Sequence, residues 1–337
     1  MKLVDIIIPT YKPTKKLFEI IRLLEIQTYG INQIILMNTE EKYYNHLVYG
    51  THFIKKYKNI QVCHLSKKEF DHGRTRDLAV KRSKADIFIC MTDDAVPQDE
   101  FLVEELVKAL EDPKIAIAYG RQISNEDCGV IEQFTRTYNY PEASMVKSGK
   151  DLPVLGIKTY FCSNVCAAYK KNIYEELGGF IKHTIFNEDM IYAAKAINSG
   201  YEIAYVSTAK VIHSHNYTNM QQLHRNFDLG VSQADHPEVF QGIPSEGEGK
   251  KMVKITAAFL KENGYKNKIL PLYITSGYKL IGYKLGKSYK KLPHKLVHSL
   301  SMNKDYWRRN NMKLDSSKID PTKGYGKTQE ETEMNRR

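Results

Sequence analysis

The chain has 337 residues, of which 42% are hydrophobic, and it carries a formal net charge of +11. This length and composition suit a folded protein with a large buried core in one or two domains. The positive charge favours an anionic partner, such as nucleic acid, anionic lipid or a phosphorylated substrate. No run of about 18 apolar residues occurs, so no membrane-spanning helix is predicted. The N-terminus also lacks the apolar stretch of a signal peptide.

The first 120 residues alternate strand-like and helix-like segments. Apolar runs predict strands at 3–8, 33–37, 60–65, 86–91 and 115–119. Helical apolar spacing predicts helices at 15–25, 44–57, 74–82 and 99–110. Alternating units of this length predict an α/β fold, with a mostly parallel sheet covered by helices on both faces.

The rest of the chain is less regular. Residues 130–156 have weak periodicity and are predicted to be mostly loop or mobile helix. A strand is predicted at 161–169, then a helix at 188–198 with Asn187 as its N-cap, then strands at 202–206 and 210–213. Helices are predicted at 220–231, 251–262 and 272–289, the last two rich in lysine. Residues 315–337 are polar with few aliphatic side chains, which predicts a disordered tail.

The cysteines indicate a reducing compartment. They are odd in number, and none has the C-x-x-C spacing of a zinc site. We therefore predict reduced thiols in a cytoplasmic protein. The five residues are Cys63, Cys90, Cys128, Cys162 and Cys166.

An acidic pair, Asp93 and Asp94, directly follows the strand predicted at 86–91. In open α/β sheets, ligands bind at the carboxyl ends of the strands. Carboxylate oxygens there suit Mg²⁺ or Mn²⁺, and such a metal suits a diphosphate. An Asp-Asp pair is also an ordinary feature of surface turns, so this interpretation needs support from other residues.

The first strand runs into Pro9, Thr10 and Tyr11 at the same edge of the predicted sheet. A hydroxyl and an aromatic ring at that edge are suited to hold a nucleotide base or ribose. The alternative is a plain turn in which the proline ends the strand.

Gly73 starts a predicted helix that carries Arg76. Free amides and basic side chains at a helix N-terminus bind phosphate. The alternative is a charged surface helix in which Asp71 pairs with the arginines.

Two further pairs contain titratable side chains. Glu188 and Asp189 begin a predicted helix, where acidic residues are favoured by the helix dipole alone, and where one carboxylate is also placed to act as a general base. His213 and His215 lie on one face of a predicted strand. Two imidazoles at this spacing bind metals in some proteins and only pack or donate hydrogen bonds in others.

In combination and order, these motifs resemble the family 2 glycosyltransferases of the GT-A fold, and within them the bacterial rhamnosyltransferases. The resemblance spans residues 3–307. It is carried by Pro9-Thr10-Tyr11, Gly73 to Asp77, Thr92-Asp93-Asp94-Ala95, Phe161 to Tyr169, Glu188-Asp189, and His213 or His215. The chain departs from the family at three places: Asp77 replaces the usual Asn, Asp93 replaces the Gln common in rhamnosyltransferases, and strand two ends in Asn38-Thr39-Glu40-Glu41 instead of nucleotide-binding acidic residues.

The resemblance implies an inverting, metal-dependent transfer of rhamnose from dTDP-L-rhamnose to a growing, lipid-linked bacterial surface polysaccharide. The implied cofactor is Mg²⁺ or Mn²⁺. The implied site residues are Asp94 with His213 or His215 for the metal, Asp189 beside Glu188 for catalysis, and Pro9, Thr10, Tyr11, Arg76 and Asp93 for the donor. We favour His213 over His215 because it lies nearer the strand end.

The implied organisation is a GT-A catalytic domain at residues 1–217, followed by a basic helical region at 218–314. Residues 1–120 form its nucleotide-sugar half and residues 121–217 its acceptor half. Between Leu272 and Leu296, tyrosines and aliphatic residues interleave with lysines. This pattern predicts either peripheral binding to an anionic membrane on its cytoplasmic face or packing against the catalytic domain.

Three other functions are compatible with parts of this pattern. The first is a glycosyltransferase of the same fold that uses a UDP-hexose or UDP-N-acetylhexosamine donor. The second is a basic nucleic-acid-binding protein, although no known nucleic-acid-binding motif occurs in the sequence. The third is a nucleotidyltransferase, although the glycine-rich signature of a P-loop is absent.

Overall fold

The computed structural model describes residues 1–243, 246–311 and 327–328. Its strands are β1 (Val4–Tyr11), β2 (Gln33–Thr39), β3 (Ile60–Leu65), β4 (Ile87–Met91), β5 (Val96–Pro97), β6 (Ile115–Ile123), β7 (Met145–Lys147), β8 (Cys166–Lys170), β9 (Glu202–Ile212) and β10 (Lys327–Thr328). Its helices are α1 (Lys16–Glu25), α2 (Glu41–Val48), α3 (Phe53–Lys56), α4 (His72–Arg82), α5 (Leu102–Ala109), α6 (Val130–Asn139), α7 (Leu152–Leu155), α8 (Lys171–Glu176), α9 (Glu188–Asn198), α10 (Asn219–Asp235), α11 (Pro237–Phe240), α12 (Glu246–Glu262), α13 (Ile269–Lys287), α14 (His294–Leu300) and α15 (Lys304–Asn311).

The strands form one sheet in the order β10-β3-β2-β1-β4-β8-β6-β9-β5, with β7 paired to β9. β1 pairs in parallel with β2 and β4, and β2 pairs in parallel with β3. β8 runs antiparallel to β4 and β6, whereas β6 and β9 are parallel. The predicted α/β fold is confirmed, including its mostly parallel sheet, its flanking helices and its helical C-terminal region. Because β1 and β4 are neighbours, their carboxyl ends meet at one edge.

The sheet is buried on both faces. Alternate residues of a strand point to opposite faces, so Ile6 and Ile8 pack in the core that includes Leu17 of α1, whereas Ile7 packs in the core that includes Tyr192 of α9. Because both faces of these strands are buried, their sequences are continuous apolar runs and do not alternate with polar residues. All five cysteines are buried as free thiols.

Several predicted boundaries differ from the structure. β1 continues past Pro9 to Tyr11, because its parallel pairing with β2 persists through those residues. The helix predicted at 44–57 is two helices, α2 and α3, separated near Gly50, whose φ of 71° suits a turn. The strands predicted at 202–206 and 210–213 are one strand, β9, with an irregular register against β6.

The region predicted as loop or mobile helix, residues 130–156, contains α6 and β7. The ring of Phe134 in α6 stacks on Phe259 in α12, with 4.1 Å between centroids, so a distant partner stabilises this helix. The strand predicted at 161–169 begins only at Cys166, because the residues before it turn toward α9. Asn187 precedes α9, but its side chain donates to Ser232 Oγ (3.2 Å) and does not cap the helix.

In the C-terminal region, the backbones of α10 and α13 are in direct contact. A Cβ atom on Gly282 would lie 2.2 Å from the carbonyl oxygen of Leu223, and one on Gly286 would lie 2.1 Å from that of Phe227. Only glycine permits this approach, so the two helices form one packed unit. Within the described residues, no helix is long and apolar enough to cross a membrane. The predicted tail at 315–337 lies outside the described residues, except for β10, which pairs antiparallel with β3.

Candidate active site

One carboxylate and two imidazoles meet beyond the ends of β4 and β9. The Nε2 atom of His213 lies 3.5 Å from Asp94 Oδ1, and the Nε2 atom of His215 lies 3.6 Å from Asp94 Oδ2. One ligand atom from each residue lies within 4.8 Å of the other two. We call these three residues the Asp-His-His group. A carboxylate with two neutral imidazoles suits a divalent transition metal such as Mn²⁺. Sequence analysis favoured His213 over His215 as the metal ligand, and the structure brings both imidazoles to Asp94.

Gln122 orients the ring of His213. Gln122 Oε1 accepts a hydrogen bond from Arg136 Nη1 at 2.5 Å and lies 3.0 Å from His213 Nδ1. Because Oε1 can only accept, Nδ1 carries the proton and Nε2 keeps the lone pair that a metal requires. Burial lowers the pKa of His213 to about 3, partly offset by Asp94, so the ring is neutral at physiological pH. Sequence analysis did not single out Gln122 or Arg136.

Asp93 faces the first loop. Its carboxylate accepts a hydrogen bond from the backbone N–H of Tyr11, which ties the acidic pair to the end of β1. Burial and the negative charge of Asp94 raise the pKa of Asp93 to about 6. The two adjacent carboxylates therefore have different surroundings, one beside two imidazoles and one beside the predicted nucleotide loop.

The end of β1 offers an aromatic surface with positive charge around it. The ring of Tyr11 is 40% exposed and packs edge-on against Tyr43, with 5.7 Å between centroids. The ammonium group of Lys67 lies 4.9 Å from the centroid of the Tyr11 ring. Thr10 is buried, and its hydroxyl donates to Asn38 Oδ1 at 3.0 Å. An exposed ring beside a lysine suits a base and its phosphates, whereas the Thr10 hydroxyl is already engaged. Pro9 is half-buried within β1.

Glu188 is buried in a hydrogen-bonded ion pair. Its Oε1 atom lies 2.9 Å from Arg76 Nη1 and accepts from Asn164 Nδ2 at 3.1 Å. Burial alone would raise the pKa of Glu188, but the charge of Arg76 holds it below its usual value. Arg76 was expected to contact the donor diphosphate. In the structure its guanidinium is buried against Glu188, a position that supports a role in holding the start of α9.

Asp189 is held differently from its neighbour. Its Oδ2 atom accepts from the backbone N–H of Asn164 at 3.0 Å, and its Oδ1 atom accepts from the backbone N–H of Met190 at 2.8 Å. Burial and the negative charge of Glu188 raise the pKa of Asp189 to about 7. A fixed carboxylate with a pKa near neutrality has the properties of a general base.

The N-terminus of α4 is capped by the side chain of Asp71. The Oδ1 atom of Asp71 accepts from Gly73 N at 3.1 Å and lies 3.4 Å from Arg74 N. A carboxylate thus takes the place that a phosphate was expected to occupy. Gly73 has a packing role instead, because a Cβ atom there would lie 1.9 Å from the carbonyl oxygen of Ile181.

The buried pair leads to a stability prediction. Arg76→Leu should reduce the free energy of unfolding by about 3–5 kcal/mol, because it leaves the Glu188 carboxylate buried without its partner. Arg308→Leu is the control. It breaks an ion pair with Asp305 in which the two side chains are 66% and 36% exposed, and should cost about 1 kcal/mol or less. Chemical denaturation measures both, and equal losses would contradict the buried-pair argument.

α10 adds a cation that sequence analysis missed. The guanidinium carbon of Arg225 lies 4.7 Å from the ring centroid of Phe186 and 5.8 Å from that of Tyr217. Besides burial, the charge of Arg225 contributes to the lowered pKa values of His213 and His215. Among the described residues, no carboxylate oxygen lies within 4.0 Å of it to form an ion pair. Arg225 is therefore a positive charge beside the Asp-His-His group that an anionic substrate can use.

Comparison with known proteins identifies the class of this α/β enzyme. The family described as Glycosyl transferase family 2 matches residues 5–178. The chain belongs to this family, and it is a glycosyltransferase of the GT-A fold.

The chain is 38% identical over 322 residues to the O-antigen chain rhamnosyltransferase RfbN of Salmonella typhimurium strain LT2, a match that covers 94% of this chain and 98% of that protein. It is 36% identical over 321 residues to the O-antigen chain rhamnosyltransferase WbaN of Salmonella anatum, covering 93% and 98% of the two chains. The mannosyltransferase PcManGT of Pyrobaculum calidifontis, solved in complex with GDP-Man and Mn²⁺, has a TM-score of 0.53 at 13% identity, covering 94% of this chain and 88% of its own. That similarity shows a shared fold.

Proposed function

We propose that the protein transfers rhamnose from dTDP-L-rhamnose to a growing bacterial surface polysaccharide, with inversion at C1. The observation that carries this proposal is the convergence of Asp94, His213 and His215 at the sheet edge that also holds the predicted nucleotide loop. Similarity to two rhamnosyltransferases over nearly the whole chain supports rhamnose as the sugar. Family membership favours an anionic sugar nucleotide over nucleic acid as the explanation of the positive charge.

The donor side requires groups that hold a diphosphate and its nucleoside. A divalent metal bound by the Asp-His-His group would supply positive charge to the departing nucleotide diphosphate. We assign Arg225 a second share of that charge, because it is the cation near the group without a described carboxylate partner. Tyr11 offers its exposed ring to the base, and Asp93 holds the Tyr11 backbone in place.

The acceptor side requires a base. Asp189 would take the proton from the acceptor hydroxyl as that oxygen attacks C1 from the face opposite the leaving nucleotide. The two backbone N–H groups that hold Asp189 fix its position, and the neighbouring Glu188 keeps its negative charge through Arg76. Oxocarbenium character in the transition state is expected, as in glycoside hydrolysis.

A donor panel tests the sugar. With Mn²⁺ present, dTDP-rhamnose should be turned over faster than UDP-glucose, UDP-galactose or UDP-N-acetylglucosamine. An apolar wall around a 6-deoxy methyl group discriminates against an added hydroxyl by only about 1–3 kcal/mol, so slow turnover of other donors is expected. A clear preference for a UDP-hexose would overturn the rhamnosyl proposal and leave the glycosyltransferase class intact. Parallel assays with Mg²⁺ identify the preferred metal.

We also propose that α13 lies on an anionic membrane surface, on the cytoplasmic side, where a lipid-linked acceptor would be found. Membrane binding and packing against the protein each have support, on different faces of the helix. Tyr283 donates to Gln233 Oε1 at 2.7 Å and packs inward, whereas Leu270, Ile274 and Ile281 are exposed on a helix rich in lysine. Apolar residues at this spacing share one face of the helix.

Vesicle binding tests this surface. Binding to phosphatidylglycerol vesicles should weaken steeply with salt, because each lysine near an anionic surface contributes about 1 kcal/mol. Ile274→Glu with Ile281→Glu should abolish sedimentation with the vesicles. Ile26→Glu is the control, since that residue is 56% exposed beyond the end of α1. Equal binding to neutral phosphatidylcholine vesicles would indicate that α13 does not act through charge.

A further inference from the structure

A cavity of about 810 Å³ lies between α6, α10, α12 and α13. Its wall includes His215 and Tyr217, so it begins at the Asp-His-His group. Its volume is within the range of sites that bind small organic ligands, roughly 300–1,000 Å³.

The wall nearest α10 is rich in amide groups. Gln222 and Asn226 lie one helical turn apart and both line the cavity. Asn226 Nδ2 donates to the carbonyl oxygen of Gln222 at 2.8 Å, and no described residue donates to Asn226 Oδ1. A fixed amide with an unused acceptor suits a hydroxyl-rich ligand. Tyr217 and Tyr283 add aromatic rings, which offer an apolar face together with a polar hydroxyl.

α13 forms the opposite wall and connects the cavity to the exposed apolar face. Tyr273 and Leu280 line the cavity, yet they are 54% and 41% exposed, and they lie on the helix that carries Leu270, Ile274 and Ile281. Lys279 also lines the cavity, and no carboxylate oxygen of a described residue lies within 4.0 Å of its ammonium group. The cavity thus combines hydroxyl-binding amides, aromatic rings, an unpaired cation and an apolar rim.

We infer that this cavity binds the saccharide chain of the acceptor, which enters over the rim formed by α13 and continues past His215, at the inner end of the cavity, toward the active site. The inference rests on the proposed function, since it names the second substrate of the same reaction. A saccharide chain uses the amides and tyrosines of the wall, and an apolar or anionic carrier remains at the rim beside Lys279.

Gly277 allows the cavity to be filled without disturbing the fold. It lines the cavity within α13, and a Cβ atom built on it has no neighbour within 4 Å. Gly277→Phe therefore places a ring in open space and replaces a poor helix former. Gly247→Phe is the matched control, because Gly247 lies in α12, also has no neighbour within 4 Å, and is not part of the cavity wall. Thermal unfolding establishes that both variants are folded, and a Gly277→Ala, Leu, Phe series grades the added volume.

Two assays distinguish the donor site from the acceptor site. Hydrolysis of dTDP-rhamnose without acceptor reports the donor site. The second assay measures transfer of labelled rhamnose to membranes. The membranes come from cells in which this gene is deleted, so they retain the unmodified acceptor, and transfer reports both sites. Gly277→Phe should reduce transfer by about tenfold to a hundredfold, the size expected when bulk is forced into a fitted site, with hydrolysis unchanged. Gly247→Phe should change neither.

The outcomes are distinct. Transfer by Gly277→Phe at the wild-type rate would overturn the cavity as the acceptor site. Equal loss of hydrolysis and transfer would assign the cavity to the donor, which also overturns the inference. Failure of the wild-type protein to use dTDP-rhamnose in either assay, together with activity toward another sugar nucleotide, would overturn the proposed donor. The same variants would then test the cavity with that nucleotide.

Discussion

Asp189→Asn is expected to reduce transfer by roughly 10²- to 10⁴-fold, the usual contribution of a general base, while donor and metal binding persist. The substitution removes the carboxylate that accepts the proton and leaves the size of the side chain nearly unchanged. Its surroundings support this role, because two backbone N–H groups fix the carboxylate and its pKa is raised to about 7. Steady-state transfer and calorimetric binding of dTDP-rhamnose with Mn²⁺ measure the two effects separately.

The pH profile gives a second signature of the same residue. A base with a pKa of about 7 is protonated and inactive below that pH, so kcat/KM of the wild type should rise with pH and level off above about 7. Asp189→Asn should lose this rise. Glu188→Gln is the comparison, because it removes the negative charge that helps raise the pKa of Asp189. The rise should persist in this variant but move to lower pH. A collapse of donor affinity in Asp189→Asn, with turnover of bound donor intact, would show that the base is misassigned.

Asp94→Asn is expected to weaken Mn²⁺ binding by more than the roughly 10- to 100-fold seen when an outer partner of a metal ligand is lost. Asp94 supplies the negative charge of the Asp-His-His group, and both imidazoles lie within 3.6 Å of its carboxylate. Most transfer should be lost with it. His213→Ala and His215→Ala should each weaken Mn²⁺ binding, since both rings face the same carboxylate.

The adjacent carboxylate provides a close control for this experiment. Asp93→Asn should leave Mn²⁺ affinity nearly unchanged and raise the KM for the donor, because Asp93 holds the backbone of Tyr11. Titration of Mn²⁺ by electron paramagnetic resonance, with and without dTDP, measures affinity directly. Full activity of Asp94→Asn in the presence of EDTA would refute metal dependence through this residue.

Local patterns predict the fold of this chain well where burial is regular. The strands around β1 and β4 are buried on both faces, so they appear in the sequence as continuous apolar runs, and α1 shows its buried face as Leu17, Ile20 and Ile21. The prediction for α6 stays open between loop and mobile helix, because no residue of it is fully buried. Its contact of Phe134 with Phe259 joins two segments that are distant in the sequence, and local patterns do not predict such a contact.

The residues of the candidate site are also of two kinds, those that local sequence predicts and those that it does not. Residues at strand ends and helix starts, such as Asp94 and Asp189, follow from local sequence, because the sheet topology determines where those positions lie. Gln122 is 91 residues from the His213 ring that it orients, and no spacing rule connects them. Arg76 shows the same limit, since a basic residue near a helix start suggests a phosphate ligand, and its ion pair with Glu188, 112 residues further along the chain, has no local signal.

The glycines between α10 and α13 have a consequence for how relatives of this enzyme diverge or are recombined. Gly230, Gly282 and Gly286 each face the backbone of the opposite helix at a distance that excludes any side chain. Because α10 carries Arg225 and α13 carries the outer cavity wall, neither helix can be exchanged alone without a steric conflict. We expect a chimera to acquire the acceptor preference of a homologue only when residues 219–287 are exchanged together.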